Sequence, residues 1–121
     1  MSHITQISPQ TAKIRALNDE LRTNPRRMIA AGLCQTVATS NLLAKGPAFV
    51  DRAWNGVRTF TNFTPDNDPY GEHDCAVMTI HGEAVIWKID YYAPDWQHGS
   101  DDPADERKTR RVLTLMLAQD Y

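Results

Sequence analysis

The chain has 121 residues, 41% hydrophobic and 23% charged, with a formal net charge of −2; that suits one soluble globular domain spanning 1–121 with a single core. No window approaches the roughly 20 apolar residues of a membrane span, and "MSHITQISPQ" has neither the basic nor the apolar part of an export signal. The two cysteines, Cys34 and Cys75, lie far apart without motif spacing, so neither a disulfide framework nor a zinc finger is expected, and the location expected is a reducing cytoplasm.

The first predicted element is a helix in "SPQTAKIRALNDELR", with Ser8 as N-cap and Pro9 at the first helical position. Ile14, Leu17 and Leu21 repeat at helical spacing, which leaves Lys13, Arg15, Asp19, Glu20 and Arg22 largely exposed. Asn24-Pro25 ends it, since the residue before proline is pushed out of the α region. Arg27 to Thr36 is short, apolar and partly β-branched and reads as a strand. Gly46-Pro47 then starts a second helix, with Phe49, Val50, Ala53, Trp54, Val57 and Phe60 as a broad core-facing stripe.

A β-hairpin follows. With Gly82-Glu83 as a two-residue turn, Ile80 lies opposite Val85, Met78 opposite Trp87 and Ala76 opposite Ile89. Alternation puts Ala76, Met78, Ile80, Val85, Trp87, Ile89 and Tyr91 on the core face. Cys75, Val77, Thr79, Ile86, Lys88, Asp90 and Tyr92 fall on the other. Last, Asp102 is a plausible N-cap for a helix from about Pro103, apolar around most of its circumference through Val112, Leu113, Leu115, Met116 and Leu117. The order is α-β-α-β-β-α. It predicts an α+β domain whose small, mainly antiparallel sheet has one face covered by three helices.

Charge is distributed unevenly. Residues 62–106 hold eleven acids and one base, Lys88, whereas 1–61 carry a net +5 and 107–121 a net +3. Such asymmetry marks either an interaction surface or basic helices folded over acidic loops. The stretch "DNDPYGEHD" concentrates the question. Asp66, Asp68 and Gly71 match positions one, three and six of a calcium-binding helix-loop-helix, but Tyr70 and Val77 stand where oxygen ligands are required. Turn chemistry explains much of the stretch, because Asx side chains cap backbone, proline fixes φ and glycine accepts positive φ.

The hairpin register would also set His73, Cys75 and Asp90 on one face. Nearby carboxylates would raise a thiol's pKa, which argues against a cysteine nucleophile. Glu72, His73, Asp74 and Asp90 are the residues that would serve a metal or acid–base site. No phosphate loop, nucleophile elbow or nuclease signature exists. The clusters Arg22, Arg26, Arg27 and Arg107, Lys108, Arg110, Arg111 lack the aromatic-interleaved strand or helix-turn-helix that nucleic-acid binding would add.

The runs "NDPYGEHDCAVMTIHGEAVIWKIDYY" and "GSDDPADERKTRRVLTLMLAQDY" resemble the bacterial domain-of-unknown-function family 3768, and "IRALNDELR" is similar to that family's first helix. The resemblance covers most of the chain and is weakest between Cys34 and Ala48. It implies a small stand-alone accessory protein, often carried on mobile elements, and brings no activity with it. Where the family pattern has Phe after "EHD" this chain has Cys75, so the resemblance implies a packing role there. It leaves Asp68, Tyr70, Gly71, Glu72, His73, Asp74, Trp87, Lys88, Asp90, Tyr91 and Tyr92 as the matching residues.

Two function classes follow. The favoured one is a non-enzymatic interaction protein without cofactor, using Asp66, Asp68, Tyr70, Glu72, His73, Asp74, Asp90 and Tyr92 on a basic protein partner. On a mobile element that partner would be a nucleic-acid-binding component of a host defence system, and the protein an anti-CRISPR or anti-restriction inhibitor. The alternative is a metal-binding or metal-assisted hydrolase module built on Glu72, His73, Asp74 and Asp90. Direct nucleic-acid binding and membrane contact are not expected, and the oligomeric state is left open.

Overall fold

A computed structural model describes residues 7–121. Four helices, α1 (Pro9–Thr23), α2 (Arg26–Ala30), α3 (Ser40–Leu43) and α4 (Pro47–Thr59), accompany four strands, β1 (Cys34–Ala38), β2 (Cys75–Ile80), β3 (Glu83–Tyr92) and β4 (Arg110–Leu117). The sheet order is β1-β4-β3-β2, with β1 parallel to β4 and the other pairs antiparallel. The domain is α+β, with a mainly antiparallel sheet and helices on one face. Among the described residues no helix is long and apolar enough to cross a membrane.

The expected start of α1 is found: Ser8 Oγ accepts from Thr11 N–H at 3.0 Å, and Pro9 opens the helix. Asn24 closes it. Gly46, at φ +98°, precedes Pro47 at the head of α4, whose Phe49, Ala53 and Val57 are buried. These residues pack with Leu21, Met28 and Leu42 on Ala76, Met78, Val85, Trp87, Ile89, Leu113 and Leu115 of the sheet.

The strand expected at Arg27 to Thr36 is split. Arg26–Ala30 is helical, and pairing begins only at Cys34. Gly32 is the reason. At φ +70° it donates to Ile29 C=O while Leu33 donates to Met28 C=O, the paired bonds of a Schellman ending. The helix expected from Pro103 is instead a single 3-10 turn (Glu106–Lys108) followed by β4. Asp105, not Asp102, accepts from the first turn, at Arg107 N–H. A run apolar on all sides fits a central strand as well as a buried helix. Here Arg111, Leu113 and Leu115 turn to the helices while Val112, Thr114 and Met116 turn away, and β4 lies between β1 and β3.

In the hairpin the core-face residues are as expected, but the register differs by two residues. Ile80 pairs with Glu83, Met78 with Val85 and Ala76 with Trp87, so the turn is His81-Gly82. Both residues have positive φ, +50° and +80°, which is the type I′ turn that matches strand twist. Histidine tolerates the left-handed region better than most residues but less well than asparagine. His81→Asn is therefore expected to stabilise the protein by about 0.5 kcal/mol, read as a higher urea midpoint at unchanged slope.

Candidate functional site

Residues 62–74 connect α4 to β2 and run past α1. Asn67 begins the ordering of this loop: its Oδ1 accepts from Thr64 N–H at 2.8 Å and its Nδ2 donates to Asn62 C=O at 2.8 Å. Asp68 is buried, at 8% exposure, and both its oxygens accept from His73 N–H, at 3.2 and 3.4 Å. Gly71 N–H donates to Asp68 C=O, and Gly71 C=O accepts Arg15 Nε from α1 at 2.7 Å. Gly71 has φ +71°, and a β-carbon there would stand 2.9 Å from the Arg15 guanidinium. The turn residues thus do what turn chemistry requires, and α1 clamps the result.

His73, with φ +57°, leaves the strand path and turns toward the helices. Its ring stacks on Phe63 at 3.7 Å and 6°, and Nδ1 lies 2.9 Å from Asp19 Oδ1. Glu72 Oε1 accepts the Tyr91 hydroxyl at 2.7 Å, and Glu72 C=O accepts Asn18 Nδ2 at 3.1 Å. Burial and the neighbouring Glu72 charge hold the Tyr91 phenol well above its ordinary range.

Of the three residues expected on one face, Cys75 and Asp90 remain on the outer face of the hairpin, and His73 leaves it. His73 goes to Asp19 and Phe63, while Cys75 sits opposite Lys88, and Asp90 pairs with Lys88 at 2.9 Å. The reason is the left-handed kink at His73, which ends the strand alternation before it reaches this residue. The Cys75 thiol is raised chiefly by burial and then by Asp74, with Asp90 adding and Lys88 opposing. Asp90 and Tyr92 line an open cleft of about 520 Å³ on the sheet face away from the helices, with Lys88, Thr114, Met116 and Tyr121. Glu72 and His73 are engaged elsewhere, and among the described residues no three His, Cys, Asp or Glu side chains form a group able to hold a metal ion.

Asp74 stands at the junction of the two faces. Burial first, then the charges of Glu72, Asp68 and Asp90, hold its carboxyl above the ordinary value. A raised folded-state pKa means that the charged form burdens the native state. The burden is absent below the unfolded pKa of about 3.9 and appears as pH rises through the folded value. Asp74→Asn is therefore expected to raise the Tm at pH 7 and to leave it unchanged near pH 3. Melting curves at the two pH values check this, and a lowered Tm at pH 7 would contradict it.

At the loop tip lie Asp66 and Tyr70, both exposed; Tyr70 is 78% exposed. Beside Tyr70 an open cleft of about 510 Å³ is lined by Phe63, Pro65, Asp68, Pro69 and His73 on the loop and by Thr11 and Arg15 on α1. The eight sequence-derived residues therefore fall into three sets. Asp66 and Tyr70 face outward. Asp68, Glu72 and His73 hold the loop against α1, and Asp90 and Tyr92 belong to the open sheet face, with Asp74 between.

The clamp on α1 was not expected from the sequence. Asn18 and Arg22 are buried rather than displayed, as is Arg111 on β4. One signal was present: Asn18 falls on the Ile14–Leu21 stripe, where a polar residue is buried with partners. Part of the acidic bias is matched by surface pairs within the chain. Glu106 pairs with Arg27, Asp105 with Arg107, Asp95 with His98 and Glu83 with Lys45.

Neither a curated protein nor a solved structure matches this chain. A family described as a protein of unknown function, DUF3768, matches over residues 35–120, from β1 through the loop and hairpin to a C-terminal 3-10 turn (Ala118–Asp120). Arg15, Asp19 and the rest of α1 precede the matched span, whereas the loop, His73 and the strands lie within it. With most of its length matched, the chain belongs to the DUF3768 family.

Proposed function

We propose that this is a small non-enzymatic interaction protein that engages a basic protein partner through the tip of the 62–74 loop. One observation carries the reading. The chain exposes a large aromatic side chain, Tyr70, next to acidic Asp66, on a loop whose backbone is pinned by Asn67, Asp68 and Arg15. A pre-ordered loop loses little entropy on binding, and tyrosine is among the residues that dominate interface energetics. The nearby cleft adds aromatic surface from the stacked Phe63 and His73 rings beside Tyr70. Asp68, Glu72 and His73 serve by holding this surface in place.

Within this class, an inhibitor that occupies the nucleic-acid groove of a host defence component is the specific form we favour. Its support is the acidic tip and the accessory character that family resemblance implies. Affinity capture from host lysate treated with nuclease tests the reading, comparing wild type with the double variant Asp66→Asn, Tyr70→Ala. The expected result is a discrete basic partner, released by salt and bound at least about tenfold more weakly by the variant, at unchanged Tm. Equal capture by both proteins, or no discrete partner with wild type, would sink it.

A further inference from the structure

β2 is an outer strand of the sheet. Ile89 N–H donates to Asp74 C=O at 2.7 Å, and pairing runs unbroken from Cys75–Lys88 to Ile80–Glu83. In an antiparallel ladder the backbone groups alternate in direction. Those of Ala76, Met78 and Ile80 therefore point to β3, and those of Cys75, Val77 and Thr79 point away from the sheet. Among the described residues nothing pairs with that edge.

Exposed edges are ordinarily guarded by charge, proline or a bulge. The segment "CAVMTI" has none of these, its register is continuous, and Val77 at its centre is 60% exposed. The other outer strand, β1, is only five residues long and is closely followed by α3 at one end and preceded by α2 at the other.

The outward groups also fit a second copy of this strand. They are spaced symmetrically about Val77, so an antiparallel copy of the same strand, with Val77 opposite Val77, sets Cys75 opposite Thr79 at both ends. Every outward N–H then meets an outward C=O, and no group is left over. The strand carries no charge and the chain's net charge is only −2, so copy–copy repulsion is small. Such an isologous contact closes under twofold symmetry.

We propose that the β2 edge pairs antiparallel with β2 of a second copy, with Val77 at the twofold axis, joining two four-stranded sheets into one. Both 62–74 loops are then carried on a single assembly. Sedimentation from low to several hundred micromolar tests the pairing. Wild type is expected to show a concentration-dependent dimer. Val77→Pro removes the central outward N–H without touching the ladder to β3, and is expected to stay monomeric with an unchanged circular dichroism spectrum.

Wild type that remains monomeric throughout, or a dimer that Val77→Pro leaves intact, overturns the proposal. Should the proline variant misfold, Val77→Cys combined with Cys75→Ser decides. Directly opposed residues of a hydrogen-bonded pair lie about 5.5 Å apart at Cα, within disulfide reach. Mild oxidation is then expected to give a covalent dimer, and its absence overturns the proposal.

Discussion

Arg111→Met is expected to lower stability by about 3–5 kcal/mol, the usual cost of removing one member of a buried charged network. Arg111 is 1% exposed on β4. Its Nε donates to Asn18 Oδ1 at 2.7 Å, its Nη2 donates to Pro103 C=O at 2.6 Å, and its guanidinium lies 5.0 Å from the Tyr91 ring. Burial pulls its pKa down, opposed by the fields of Tyr91, Glu72 and Glu106, but an arginine stays charged.

Methionine fills much of the same volume, so the cavity term is small and the loss is mainly polar. Asn18 Oδ1 and Pro103 C=O lose their donor inside the protein, at about 1–3 kcal/mol each, and Glu72 loses the favourable field of the guanidinium. Arg111→Lys keeps the charge but cannot fork between two acceptors while lying flat on a ring. It is expected to fall between wild type and the methionine variant. Urea unfolding of the three proteins checks the order; a methionine variant as stable as wild type would show that the network orients α1 without stabilising it.

This network marks where the sequence could be read and where it could not. α1, α4 and the inward set of the hairpin were legible because caps, proline and period-two alternation act locally. The hairpin turn was misplaced because His81 accepts positive φ, and the two-residue offset preserved the faces. β4 was misread because Val112, Leu113, Leu115, Met116 and Leu117 are apolar on both sides, as in a buried helix or a central strand alike. α2 was missed because its one clear sign, Gly32 as the left-handed residue after the helix, sat inside an apparently β-forming run.

The loop shows the same division. Asn67, Asp68 and Gly71 could be read as turn formers, because their bonds span five residues or fewer. What those bonds are held against could not. Arg15 meets Gly71, Asp19 meets His73 and Asn18 meets Glu72 across more than fifty positions. Charged residues on an amphipathic helix are assigned to solvent by default, and here that default hid the clamp. Glu83, Asp90, Asp95, Asp105 and Glu106 are paired within the chain, and on the loop itself Asp66 and Tyr70 are the candidates that face outward.

Arg22→Leu is expected to cost about 3–4 kcal/mol and to loosen the loop that presents Tyr70. Arg22 is 5% exposed, and its Nη1 donates to Val57 C=O at 2.8 Å and to Phe60 C=O at 3.1 Å. Those carbonyls belong to the last turn and C-cap of α4, groups that a helix cannot satisfy by itself. The cation also suits the negative end of the helix dipole. Its Nη2 donates to Asp19 Oδ1 at 2.8 Å, and the guanidinium lies 5.1 Å from both the Phe63 and Trp87 rings.

Asp19 in turn holds His73, and His73 stacks on Phe63, so one side chain ties α1 to α4 and to the loop together. Leucine keeps apolar contact with the rings but leaves two carbonyls without a donor and Asp19 without its arginine. The expected signature is therefore double: a lower urea midpoint, and faster hydrogen exchange at the amides of His73 and Gly71 than the global loss alone produces. Under the proposed function, partner binding should weaken in this variant even at temperatures where it is fully folded, because an unpinned loop must be ordered on contact. A variant that loses stability while keeping loop protection and binding would show that Asn67, Asp68 and Arg15 hold the tip without help from Arg22.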